Sequence, residues 1–251
     1  MLPGDAASKR VGAPALPRTW TCGLVSLTFV GAYSLANHWT HQRGAVGRGV
    51  FDWERAIPFV EWTIVPYLSI VAFFAASFFI GQGRDEQVRH VARLLLALAL
   101  SVVCYAAFPL RFMFERPQTH GAIGWMFALL SAVDLPYNRA PSLHISVLVI
   151  LWMRFAPLLG TAWRWALHGW FGAIGVSVLT TYQHHVIDVP AGLAVAALCI
   201  AVTARRHAAA DQPRASRARI LACTYAPCGT CSRSAMRHIT WRSWSLKWPS
   251  A

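Results

Sequence analysis

Six long apolar runs, separated by connections of unequal length, are the feature that most constrains the fold of this chain. The runs cover residues 20–37, 58–80, 91–110, 142–159, 163–181 and 186–204. Each is close to the roughly 20 residues that a helix needs to cross a bilayer. Of the 251 residues, 56% are hydrophobic and 13% are charged, whereas a soluble domain carries about 25% charged residues. The pattern predicts an all-α fold, a polytopic membrane bundle of six transmembrane helices.

Composition divides the chain into a short tail at 1–19, a six-helix membrane domain at 20–205 and a basic tail at 206–251. The last part has no sustained apolar period, so we expect it to be disordered. Its Cys223, Cys228 and Cys231 lack an evident fourth ligand and a folded context, so we predict no metal site there.

The net charge of +13 does not indicate a nucleic-acid-binding protein, because the basic residues lie in the tail or flank apolar runs. Six spans place both termini on one side. That side carries the larger basic set: Lys9, Arg10, Arg18, Arg84, Arg89, Arg93, Arg154, Arg164, Arg205 and Arg206. The opposite side carries the smaller set: Arg43, Arg48, Arg55, Arg111, Arg116 and Arg139. The positive-inside tendency therefore predicts cytoplasmic termini.

The connections between the runs are predicted to differ in kind. Residues 38–57 suit an external loop, and residues 81–90 a short charged turn. Residues 121–133 are apolar but too short to cross a bilayer, so we expect an interfacial or re-entrant helix packed over a site.

A polar motif opens the sixth run. His184 and Asp188 stand four residues apart and would share one face of a helix. A carboxylate that accepts the N–H of one imidazole nitrogen leaves the other nitrogen unprotonated and fixed in direction. This arrangement prepares a histidine nucleophile or base. The neighbouring His185 is expected to face solvent or headgroups and not to be catalytic.

By the count of spans, two further motifs lie at the same membrane face. One contains Arg111 and Arg116, and the other contains Ser142 and His144. Arginine forks match phosphate oxygens, one histidine can attack phosphorus, and the other can protonate the leaving alkoxide and then activate water. The set is suited to phosphoryl transfer at the periplasmic face without a metal or other cofactor.

The three motifs together resemble the signature of the type 2 phosphatidic acid phosphatase superfamily, which shares its helical core with vanadium haloperoxidases. The phrases FPLRFMFERP and DLPYNRAPSLHIS are most similar to the branch with inositol-phosphorylceramide synthase-like proteins and bacterial membrane phosphatases. The resemblance covers about 20–206. It implies that His184 is the nucleophile, Asp188 its orienting partner and His144 the acid/base, with Arg116 and Ser142 on the phosphate.

This sequence departs from the signature at three positions. Pro109 replaces the motif lysine, Leu143 replaces the glycine before the histidine, and Val178 replaces the motif arginine. Arg111 and Arg139 are the nearest substitutes for the two missing cations.

The expected activity is therefore that of a lipid phosphatase, whose substrate is a lipid phosphate. Two alternatives remain open at this point. The same histidines could transfer a phospho-head group between lipids, with an alcohol in place of water. The helices could instead form a non-catalytic transporter or a scaffold that binds anionic lipid. The sequence does not indicate an oligomeric state.

Overall fold

A computed structural model describes residues 17–42, 51–81, 83–110, 112–134, 137 and 140–204. These residues form seven α-helices and short 3-10 turns, without an extended strand among them, so the expected all-α class is confirmed for the part described. The helices are α1 (Arg18–His41), α2 (Ile64–Ser77), α3 (Arg84–Ala107), α4 (Gly121–Val133), α5 (Leu143–Phe155), α6 (Thr161–Thr180) and α7 (Asp188–Ala204). The tail expected at 206–251, with its cysteines, and residues 1–16 of the first tail lie outside the described residues.

Hydrogen bonds define two ends of the helical bundle. At the Arg154 end, which contains Arg18, Glu86 and Arg154, the side chain of Arg154 bonds to Glu86, and Arg18 donates to the carbonyl of Phe79 at 2.7 Å. We call the opposite end, which contains Asp134, His144 and His184, the His184 end.

Six helices run alternately between these two ends. The helix α1 runs from the Arg154 end, where it starts at Arg18, to the His184 end, where its Tyr33 donates to Asp134 at 2.6 Å. The helix α3 runs in the same direction, and near its end Tyr105 donates to the carbonyl of Pro141 at 2.8 Å. The helices α2, α5 and α7 run the other way, and Thr203 of α7 accepts from Nε of Arg93 at 3.0 Å. The short α4 lies at the His184 end.

Close backbone contact joins α5 to α7. A Cβ atom at Gly192 would lie 2.5 Å from the carbonyl oxygen of Ser142 and 3.0 Å from Cβ of Ile145. Because glycine has no side chain, the helices can approach closely enough for Ser146 Oγ to donate to the Gly192 carbonyl at 2.9 Å. The contact fixes the start of α5 beside the start of α7.

Among the described residues, α1 and α3 are long and apolar enough to cross a membrane. Four shorter apolar helices cover Glu61–Ser77, Gly121–Ala132, Leu143–Leu158 and Asp188–Ala204. The large apolar side chains of α1 lie on the surface, with Leu27 70% and Leu35 71% exposed. This exposure is the reverse of a soluble core helix.

The helix bounds differ from the apolar runs in informative places. The expected charged turn at 81–90 is wrong beyond Gly83, because α3 already begins at Arg84 and carries Asp85 and Glu86 in its first turn, where acidic side chains favour a helix start. The short helix expected at 121–133 is confirmed with the same bounds. Residues 58–60 of the second run are not helical.

Candidate active site

A sharp turn at the end of α6 aims His184. Tyr182 adopts the left-handed conformation, with a φ angle of 54°, which few residues other than glycine adopt. The amides of Gln183 and His184 then both donate to the carbonyl of Val178, at 3.2 and 3.0 Å. This pattern satisfies orphan groups at the helix end and holds the backbone of His184 rigidly.

His184 and Asp188 form the pair expected from their spacing. Nδ1 of His184 lies 3.2 Å from Oδ2 of Asp188, and both side chains are buried. The same carboxylate oxygen accepts from the backbone N–H of His185 at 2.9 Å. With Nδ1 protonated toward Asp188, Nε2 of His184 keeps its lone pair. It makes no hydrogen bond with the described residues, so its lone pair is available for chemistry.

His144 lies in the first turn of α5 and lines the same cavity as His184. Its ring stacks on Tyr67 with centroids 4.2 Å apart and planes 17° from parallel. Its Nε2 is buried without a partner among the described residues. A buried unsatisfied nitrogen is unfavourable unless a ligand or water completes it.

The cavity that joins the two histidines has a volume of about 340 Å³. Its walls are mostly apolar side chains of α1 and α2, and its polar groups include Asp134, His144 and His184. An apolar cavity with a few convergent polar groups is typical of a small-molecule site.

Ser142 lies beside this cavity but does not line it. Its hydroxyl accepts from the amide of Ile145 at 3.3 Å as the N-cap of α5, and its own amide donates to the carbonyl of Asp188 at 3.0 Å. The residue is fully buried. The hydroxyl of Ser142 thus caps α5 and its amide aligns α5 with α7, while the contact of Ser142 with phosphate stays a prediction.

Of the three predicted arginines, only Arg116 is described, and Arg111 and Arg139 lie outside the described residues. The guanidinium of Arg116 lies 4.9 Å from the ring centroid of Phe127 and donates to Ser131 at 3.3 Å. With the amide of Gln183 oriented to satisfy both neighbours, its oxygen accepts from Arg116 and its nitrogen donates to Asp134 at 3.2 Å. Arg116 thus contacts the residue before His184 but is not among the described residues that line the cavity.

Asp134 is a polar group of the cavity to which the sequence assigned no role. Its carboxylate accepts from Tyr33 at 2.6 Å and from Asn37 at 3.4 Å, and Gln183 is its third donor. The signal for it was available, because an acidic residue at the end of an apolar helix is expensive to keep near a membrane and is a functional candidate.

A second buried pair lies directly beside the first. Nδ1 of His185 lies 2.8 Å from Oε2 of Glu54, and Nε2 of His185 accepts from the amide of Met113 at 3.3 Å. Glu54 belongs to a 3-10 turn, Asp52–Ala56, and it also accepts from the amide of Val186 at 3.2 Å. The expected solvent-facing position of His185 is wrong, since the residue is 2% exposed.

Two of the departures from the signature are built into the packing. Val178 of α6 is completely buried in the hydrophobic core, and Leu143, which is 9% exposed, belongs to the same core. An arginine side chain at 178 would have to enter this core, where an unpaired charge is costly.

The chain was compared with protein-family models, with curated proteins and with solved structures, and none of these comparisons finds a match.

Proposed function

We propose that this chain is a membrane lipid phosphatase of the type 2 phosphatidic acid phosphatase kind, which acts through a phosphohistidine. The observation that carries the proposal is that His144 and His184, forty residues apart in the sequence, line one cavity. His184 is paired with Asp188 through Nδ1. A phosphohistidine mechanism requires two groups at one site, a histidine nucleophile and a separate acid/base.

The proposed reaction has two steps. Nε2 of His184 attacks phosphorus, the bond from phosphorus to the ester oxygen breaks, and the leaving alkoxide takes a proton from His144. His144 then removes a proton from water, the resulting hydroxide attacks the phosphohistidine, and inorganic phosphate leaves as His184 is restored. Asp188 stabilises the positive imidazole ring that forms transiently. Arg116 is proposed to offset phosphate charge from the side of Gln183.

The proposed setting is a bacterial inner membrane crossed by six helices, α1, α2, α3, α5, α6 and α7, of which α2 and α5 are lengthened by adjoining 3-10 turns to Glu61–Ser77 and Leu143–Leu158. Their alternating direction supports this, as does the exposed apolar surface of α1. Arg18, Arg93 and Arg154 lie at the end opposite the histidines, so the positive-inside tendency favours cytoplasmic termini and a periplasmic site. The substrate would then reach the site from the outer leaflet.

A second candidate function is the transfer of a phospho-head group to an alcohol. Asp134 favours it, because a carboxylate in the cavity, already held by Tyr33 and Gln183, repels a phosphate dianion but can accept from the hydroxyl of an acceptor. The reaction would use the same histidines, with His144 removing the proton from the alcohol.

The test is phosphate release from a panel of lipid phosphates by the wild-type chain and by His184→Ala, in detergent, with and without vanadate. Vanadate mimics five-coordinate phosphorus. The proposal predicts release by the wild type that vanadate inhibits and that the variant lacks. Head-group exchange in place of phosphate release would assign the transferase. Lipid binding or transport without turnover would reject both and leave the transporter or scaffold.

A further inference from the structure

We propose that the cleft between α1 and α2 binds one hydrocarbon chain of the lipid substrate, and that Phe29 and Phe74 limit how far the chain can enter. This inference rests on the proposed function for the identity of the lipid. The arrangement of the cavity supports it independently of the chemistry at the histidines.

The first observation is how the helices pack. The helix α1 packs along α3, whereas α2 packs along α5 and α6. A cleft is therefore left between α1 and α2, and it is part of the cavity that reaches His144 and His184. The site and the cleft form one continuous space.

The second observation is how polarity is distributed along that space. At the His184 end the cavity is lined by Asp134, His144 and His184. From Tyr67 to Phe74 the lining of α2 extends seven residues toward the Arg154 end, which is about 10 Å along a helix at 1.5 Å per residue. The walls over this length are almost entirely apolar, so the cavity has the polarity of a phosphate ester joined to an acyl chain.

The third observation is that the cleft opens sideways. Val30 of α1 and Val71 of α2 line it and are 61% and 63% exposed, so they form its outer edges. In the proposed orientation these edges face lipid. A chain can then enter from the bilayer without leaving an apolar environment, while a second chain of the same lipid stays outside.

The fourth observation is the contact that spans the cleft. The rings of Phe29 and Phe74 meet with centroids 5.1 Å apart, and both line the cavity. Phe74 also packs against Phe78, which is completely buried. This braced pair is a fixed obstacle, so chain atoms beyond it must leave the cleft.

The experiment uses the full chain in nanodiscs and a phosphatidic acid that carries a photoreactive diazirine in one acyl chain. After irradiation, mass spectrometry maps the labelled residues. We expect adducts on α1 and α2 residues that line the cleft. Val71→Trp at the edge should lower labelling by about tenfold or more, the change expected when roughly two methylene groups lose their buried positions.

The matched control is Val176→Trp. Val176 is 58% exposed on α6 and does not line the cavity, so labelling should stay at the wild-type level. If Val71→Trp does not fold, Val30→Trp tests the opposite edge. The inference is overturned if photolabelling is spread over all exposed helix faces. It is also overturned if labelling of the cleft is unchanged in an edge variant that folds.

Parallel phosphate-release assays separate the two proposals. If the wild type releases phosphate but photolabelling of the cleft is unchanged in the edge variants, the phosphatase proposal stands and the cleft proposal is rejected. Cleft-specific labelling without release from any lipid phosphate rejects the phosphatase and retains the cleft as a lipid-binding site. The proposed depth is tested by Phe74→Ala, which should shift the preferred substrate toward longer acyl chains. An unchanged preference rejects the role of Phe74.

Discussion

The adjacent histidines of this chain lie on two sides of one turn, the cavity side and the loop side. On the cavity side, His184 uses Nδ1 for Asp188 and keeps Nε2 free of hydrogen bonds with the described residues. On the loop side, His185 uses Nδ1 for Glu54 and Nε2 for the amide of Met113. The difference shows that a buried histidine paired with a carboxylate is a reactive candidate only when its second nitrogen faces open space.

The two sides depend on each other. Oδ2 of Asp188 accepts from both His184 Nδ1 and the amide of His185, and Glu54 holds the amide of Val186. The loop side therefore fixes the backbone from which His184 projects. Changes on the cavity side should therefore affect activity more than stability, and changes on the loop side should affect stability first.

The largest expected effect separates the two histidines directly. His184→Ala should reduce turnover of a lipid phosphate by about 10⁴-fold or more, because a unit of nucleophile and partner fails when the nucleophile is lost. Its melting temperature in detergent should fall by less than that of His185→Ala, because His184 makes one side-chain hydrogen bond and His185 makes two. The matched variant is His185→Ala, which should lower the melting temperature. If both variants lose the same turnover and have the same melting temperature, the proposed difference between His184 and His185 is wrong.

Asp188→Asn is expected to have the next largest effect. The amide can still accept one hydrogen bond, but it no longer favours the required tautomer of His184 or the charged ring, so turnover should fall by about 10²- to 10⁴-fold. Steady-state kinetics should place the loss in kcat with little change in KM. A variant that retains wild-type kcat would show that Asp188 only holds the amide of His185 in place.

The loop side is tested by Glu54→Ala. Removing the carboxylate leaves the buried Nδ1 of His185 and the amide of Val186 without their acceptor, which should destabilise the fold by about 3 kcal/mol. Glu54→Gln keeps an acceptor and should lose less. Chemical denaturation in detergent measures both. If alanine is no worse than glutamine, Glu54 does not hold the turn.

The smallest expected effect concerns the helices that carry the two sides. Gly192→Ala places a methyl group 2.5 Å from the Ser142 carbonyl oxygen and should cost about 1–3 kcal/mol, as overpacking does. Gly172→Ala is the control, since no atom lies within 4 Å of its Cβ position. Thermal melts of both variants measure the difference. Equal melting temperatures would show that α5 and α7 are not in fixed contact.

Patterns within a few residues predicted much of this structure. Run length and polarity anticipated the helical class and the bounds of α4 at 121–133. The four-residue spacing anticipated the contact of His184 with Asp188, because that contact is closed by local backbone geometry. The start of α3 could also have been predicted, since Asp85 and Glu86 follow Gly83 and are a signal for a helix start.

Contacts between distant segments were harder to predict. Glu54 and His185 are 131 residues apart, and no periodicity links a polar loop to the turn that buries it. The bond from the amide of Ser142 to the carbonyl of Asp188 also depends on the approach of α7 at Gly192. A sequence shows which polar groups are present, but tertiary packing determines which of them are hydrogen-bonded within the fold.

In the proposed mechanism, His184 is the group that attacks phosphorus. This role is tested most directly by stopping turnover of phosphatidic acid with a radiolabelled phosphate in alkali, where phosphohistidine survives, and by mapping the labelled residue. We expect radiolabel on His184 in the wild type and none in His184→Ala. Phosphate release that persists in the variant, or label carried by another residue, would contradict it.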